Sequence, residues 1–186
     1  MNRIVPVVLL LAAAQPLFAQ APKSSPAMAN PVVGSARPVY EIVKGYLTKA
    51  AEQMPEENYA FQPTPEVRTF GQLIGHVANA QYVFCSAALK EDDPHKEDFE
   101  KSRTSKAALL EALKASFQYC DGAFMKITDA MATEPIKLFG MDVTRLGTVV
   151  LNVSHDFEHY GNIVTYMRMK GMVPPSSQPR PQASGG

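Results

Sequence analysis

The sequence predicts an all-α protein, a four-helix bundle preceded by a signal peptide, on three observations. Four segments repeat apolar residues at steps of three and four, the period of one helix face. Pro- and Ser-rich stretches without that period bracket them, and a short apolar run stands at the amino terminus. With 186 residues, 46% of them hydrophobic and 19% charged, the chain can bury one ordinary core, which excludes a disordered polyampholyte.

Residues 1–21 read MNRIVPVVLLLAAAQPLFAQA. Arg3 precedes an apolar run over 4–14, and small residues follow at 19–21, the three-part layout of a secretory signal. Cleavage is expected after Ala19 or Ala21. The run has about half of the roughly 20 residues that span a bilayer, and Pro6 and Pro16 bound it. The expectation is therefore a periplasmic or secreted chain with no stable membrane span after cleavage. Residues 22–36 (PKSSPAMANPVVGSA) read as a flexible linker, 37–172 as the bundle, and 173–186 as a disordered Pro/Ser/Gly tail.

The first helix is expected over about 38–54, with Val39, Val43, Tyr46, Ala50 and Met54 on one face. The second is expected over 69–89, where Thr69 and Gln72 form a capping-box pair ahead of Phe70, Leu73, Val77, Ala80 and Phe84. The third spans 104–131 with Leu110, Leu113, Phe117, Cys120, Phe124, Ile127 and Met131 in its stripe. The fourth spans 144–170 with Leu146, Val150, Val153, Phe157, Tyr160, Val164 and Met167, and Gly171 with Pro174 and Pro175 stops it. Four such stripes close one shared core. The connections are each about a dozen residues, long enough to leave the topology open.

Composition narrows the function classes. Basic and acidic residues both number 18, so no excess positive charge is available for phosphates and no nucleic-acid partner is expected. Two cysteines cannot build a four-thiolate zinc site or a disulfide framework. If the second and third helices run parallel, Cys85 and Cys120 sit at similar heights and can bond in an oxidising compartment. Since Cys120 falls in the core stripe, two buried reduced thiols are the expectation.

Four histidines are present. His95, in EDDPHKED, reads as a solvated loop residue. His155 and His159 are four apart on the fourth helix, about 40° apart on the helical wheel, a spacing that lets two imidazoles share one divalent ion. The wheel sets this pair roughly 150° from that helix's apolar stripe, and His76 roughly 80° from the stripe of the second helix. The sector around the pair includes Thr148, Asn152, Asn162 and Tyr166, and suits the wall of a groove. Asp156 and Glu158 adjoin the two histidines, but diverge on the wheel and read equally well as solvated salt-bridge partners. Asn152-Val-Ser154 fits the glycosylation pattern but lies within a helix and is discounted.

Three stretches together resemble the DinB-like family. TFGQLIGHVANAQ (69–81) is similar to the family's second helix with its histidine, and EENYAFQPTPEVRTFGQLIGHV (56–77) to the approach to that helix. SHDFEHYGNIVTYMRMKGMVPP (154–175) is similar to its last helix, with the HxxxH pair and a Gly-x-x-Pro-Pro end. The resemblance implies a four-helix bundle with a long crossover, and a metal site of His76, His155 and His159. It implies a divalent cofactor, zinc or nickel first, and a metal-dependent hydrolase or transferase acting on an unknown small-molecule substrate. A homodimer is also within expectation. Export departs from the family's usual cytoplasmic setting and disfavours transfer that depends on cytosolic thiols. The alternative is a non-catalytic bundle that holds a ligand or partner in the same groove.

Overall fold

A computed structural model describes residues 29–179. The expected signal peptide, the start of the expected linker and the end of the expected tail lie outside the described residues. Four long helices form the body: α1 (Pro31–Gln53), α2 (Phe70–Leu89), α4 (Lys106–Lys126) and α5 (Arg145–Met169). A one-turn helix, α3 (Phe99–Ser102), lies in the connection from α2 to α4. Strands β1 (Pro135–Leu138) and β2 (Met141–Thr144) form a hairpin before α5. Among the described residues, no helix is long and apolar enough to cross a membrane.

Residue pairings decide the topology that helical period left open. Tyr40 stacks on Phe124 and Glu52 pairs with Lys114, so α1 and α4 are antiparallel. The Arg145 guanidinium donates to Ala88 O and the Tyr166 hydroxyl to Arg68 O, so α2 and α5 are antiparallel. Leu109 lies beside Gly71 and Cys120 beside Cys85, so α2 and α4 run parallel, joined by the long crossover that contains α3. Tyr40, Val43, Leu47, Phe70, Ile74, Leu109, Leu113, Ile163 and Met167 are fully buried among the four helices. Each large apolar side chain buried there stabilises the fold by about 1.5–3 kcal/mol.

Local chemistry explains most helix ends. Thr69 Oγ1 accepts from Gln72 N–H while Gln72 Oε1 accepts from Thr69 N–H, the capping box expected from the sequence. Ser105 and Thr144 cap α4 and α5 with one side-chain bond each, to Ala108 N–H and Gly147 N–H. Other ends differ from expectation. Helix α1 starts at Pro31, so residues 31–36 are helical rather than linker. Its cap is remote: the Asp129 carboxylate accepts the N–H groups of Val32 and Val33 at 3.0 and 2.8 Å. The expected third helix is shorter by several residues, because the chain leaves α4 at Ile127 to bring Asp129 to that position. Part of the expected tail is also ordered: Pro175–Ser177 forms a 3-10 turn, Ser176 N–H donates to Tyr160 Oη, and Gln178 pairs with Gln53.

The hairpin departs from the all-α expectation. Pro135 pairs with Thr144 and Leu138 with Met141 around a two-residue Phe139-Gly140 turn. Both turn residues have positive φ (51° and 79°), the form that matches strand twist. Leu138 packs with Ala80 and Phe84 of α2 in a small apolar cluster apart from the main core.

The cysteine expectation is corrected: Cys85 and Cys120 form a disulfide with their Cα atoms 5.4 Å apart. Parallel packing of α2 and α4 places them level, as bonding requires.

Candidate metal centre

The three motif histidines meet between α2 and α5. His76 Nε2 lies 3.1 Å from His155 Nε2, which lies 3.0 Å from His159 Nε2. All three rings thus turn the same nitrogen toward one point. A divalent ion about 2.0–2.1 Å from each nitrogen needs similar nitrogen–nitrogen separations. Among the described residues, these three form the only group of His, Cys, Asp and Glu with ligand atoms close enough to hold one ion. Glu100 lies outside that group.

The electrostatics suit a cation. Burial lowers the His155 pKa to about 3, helped by the neighbouring His159 and His76 rings. Burial likewise lowers that of His159 to about 4, with His76 adding to the effect. Both rings are therefore neutral near pH 7, the form that binds metals. His76 Nδ1–H donates to Glu100 Oε2 at 2.8 Å, and Arg68 Nε–H donates to Glu100 Oε1 at 2.8 Å. Burial favours the neutral Glu100 carboxyl, but these two bonds win and hold its pKa below the usual range. The Nδ1 atoms of His155 and His159 are buried without a protein partner.

A cavity of about 610 Å³ opens beside His159. Its lining includes Arg68, Gln72, Glu100, Glu158, Asn162 and Tyr166. On the other side, the Phe84 ring stands 5.5 Å from the His155 ring and closes the site with apolar surface.

The wheel misplaced part of α5. Val150 and Phe157, expected in the core, are 47% and 37% exposed, whereas Thr148, Asn152 and Asp156 are fully buried. The buried face is thus turned so that the histidine pair lies roughly 65° from its centre, with His159 on its edge. The cause is a polar connection inside the bundle. Gln81 Nε2–H donates to Asp156 Oδ1 at 2.6 Å, and Asn152 Nδ2–H donates to Gln81 Oε1 at 2.9 Å. Asp156 is therefore not a solvated ion-pair partner; burial raises its pKa to about 8, against the pull of the Gln81 bond. Glu158 is exposed and lines the cavity with His159. Asn162 and Tyr166 belong to the cavity wall as the wheel placed them, whereas Asn152 and Thr148 do not. Burial of Asn152 also agrees with discounting it as a glycan acceptor. His95 is half-buried, its ring 5.0 Å from Tyr82 and 4.0 Å from Phe99, so it packs rather than floats.

Two residues around the site had no sequence signal. Glu100 sits in a polar connection without periodicity or motif, and Arg68 falls within the 56–77 stretch but has no role assigned by it; only folding brings them to His76.

The DinB superfamily matches residues 40–163, more than half of the chain. No curated protein matches it. Among solved structures, a DinB-like protein from Bacillus cereus superposes with a TM-score of 0.67 at 18% identity, over 75% of this chain and 93% of that one. A DinB-like protein from Bacillus subtilis gives 0.63 at 20% identity, over 82% and 100%. A conserved protein from Enterococcus faecalis gives 0.61 at 18% identity, over 74% and 96%. At these identities the likeness concerns the fold.

Proposed function

The chain belongs to the DinB superfamily, and on that premise we propose that it is an exported metal-dependent enzyme, a hydrolase or transferase for a small-molecule substrate. His76, His155 and His159 are its metal ligands. The observation that carries this reading is the convergence of three imidazoles, with His155 Nε2 3.1 Å from His76 Nε2 and 3.0 Å from His159 Nε2 and all three ligand atoms within 4.8 Å of one another. Neutral imidazoles suit zinc or nickel. A divalent ion held by three histidines keeps positions open for ligands, and supplies an acidified water or a site for a thiolate.

The cavity residues have separate tasks. Glu158 is exposed, lines the cavity with His159 and makes neither of the bonds to Arg68 and His76 that occupy Glu100, so it is the candidate proton acceptor. Asp156 is committed to Gln81 and takes no proton from the cavity. Gln72 and Asn162 offer amides to a polar substrate. Tyr166 donates to Arg68 O at 2.6 Å and so holds the loop that carries Arg68 over the cavity. Phe84 excludes water from the far side of His155. Export rests on residues 1–21, and the even charge balance argues against nucleic acid.

Metal per chain in the untagged mature protein, measured by elemental mass spectrometry, tests the proposal. About one equivalent in the parent, and none in a His155→Ala variant with the same helical circular dichroism, is expected. No metal in the parent after incubation with zinc or nickel overturns it and leaves the ligand-binding bundle.

A further inference from the structure

The crossover between α2 and α4 approaches the histidine site closely, and the contact has a specific consequence. Helix α3 packs directly on Gly75, the residue before His76. A methyl group on Gly75 would come 2.8 Å from both Glu100 Cα and Glu100 N, and 2.9 Å from Phe99 C. Only a residue without Cβ lets α3 sit there. Asn79, one turn later, fixes the start of the same helix: its Oδ1 accepts from Phe99 N–H at 3.0 Å and its Nδ2–H donates to Asp98 at 2.8 Å. Arg68 then holds one Glu100 oxygen at 2.8 Å, leaving the other 2.8 Å from His76 Nδ1.

We infer that Glu100 is a positioning residue for the proposed metal site, seated by Gly75 and Arg68, which keeps the His76 proton on Nδ1 and the Nε2 lone pair free for the ion. The inference rests on the three-histidine reading above. Its physical basis is the tautomer: a neutral imidazole carries one proton, and the acceptor facing one nitrogen decides which nitrogen donates. Glu100 does not bind the ion itself, since it lies outside the group whose ligand atoms converge. His155 and His159 have no such acceptor at Nδ1. His76 is therefore the one ligand in the set whose orientation is fixed by a carboxylate.

Long-range ¹H–¹⁵N spectra of the metal-free full chain read the tautomer directly. Zinc titration against a competing chelator reads its consequence. The parent is expected to show His76 as the Nδ1–H form alone. Glu100→Ala should admit the Nε2–H form and weaken zinc binding by about 10–100-fold. Glu100→Gln, which keeps an acceptor oxygen and the side-chain shape, should retain the Nδ1–H form and lose less affinity. Gly75→Ala, which displaces α3, should behave as Glu100→Ala does. A Nε2–H form in the parent overturns the inference, as does a Glu100→Ala variant with unchanged tautomer and zinc affinity. If the parent binds no zinc yet shows the Glu100-dependent tautomer, the proposed function fails while the assignment of the hydrogen bond stands.

Discussion

At the scale of residues, two kinds of titratable group oppose each other inside one helix. Asp156 keeps its proton in the folded chain up to about pH 8, whereas the unfolded carboxyl releases it near 3.8. Its contribution to stability is complete below the unfolded value and is lost as pH rises through the folded one. His155 and His159 act in the reverse sense, staying neutral to about 3 and 4 in the fold while the unfolded rings protonate below about 6.5. Between roughly pH 4 and 6.5 the two effects oppose; above 6.5 only Asp156 remains. The metal-free protein should therefore lose stability from pH 6.5 to 8. Asp156→Asn, which keeps the acceptor for Gln81, should flatten that slope. Urea midpoints at the two pH values decide it, and equal slopes in parent and variant would refute the buried-acid account.

At the scale of elements, one cap and one turn are exposed to direct tests. The Asp129 carboxylate serves α1 from 97 residues away. Asp129→Ala should cost about 1 kcal/mol and release the first turn of α1, seen as faster amide exchange over residues 32–35. Phe139 has a φ of 51° and is 70% exposed, an aromatic side chain in a backbone region it disfavours. Phe139→Asn places an Asn-Gly pair in the turn and should raise the thermal midpoint, a gain of roughly 0.5–1 kcal/mol. An unchanged midpoint would mean that the Phe139 ring, 5.9 Å from Phe84, offsets the strain.

At the scale of the molecule, the disulfide links α2, which carries His76, to α4. It closes a loop between positions 35 apart in sequence, which stabilises the fold by about 3–4 kcal/mol through the unfolded chain. Cys85→Ser with Cys120→Ser should lower the thermal midpoint by several degrees, and a reductant should do the same to the parent but not to the variant. The effect belongs to the parallel packing of α2 and α4, because antiparallel helices would bring these two positions together only in one accidental register.

The sequence by itself determined the four long helices, the capping box at Thr69, and the histidine pair on α5. Each of these depends on residues within one or two turns of one another, and helical period exposes such relations directly. The likeness of its motifs to a family joined His76 to that pair. Tertiary structure alone decided the up-down-down-up order, the Asp129 cap, the disulfide, and the placing of Glu100 and Arg68 around His76. It also turned α5, burying Asn152 and Asp156 against Gln81 where apolar residues were expected. Hydrophobic pattern gives every polar residue the same preference for water, whereas a hydrogen-bond partner across the core reverses that preference, and such partners here lie more than 70 residues apart.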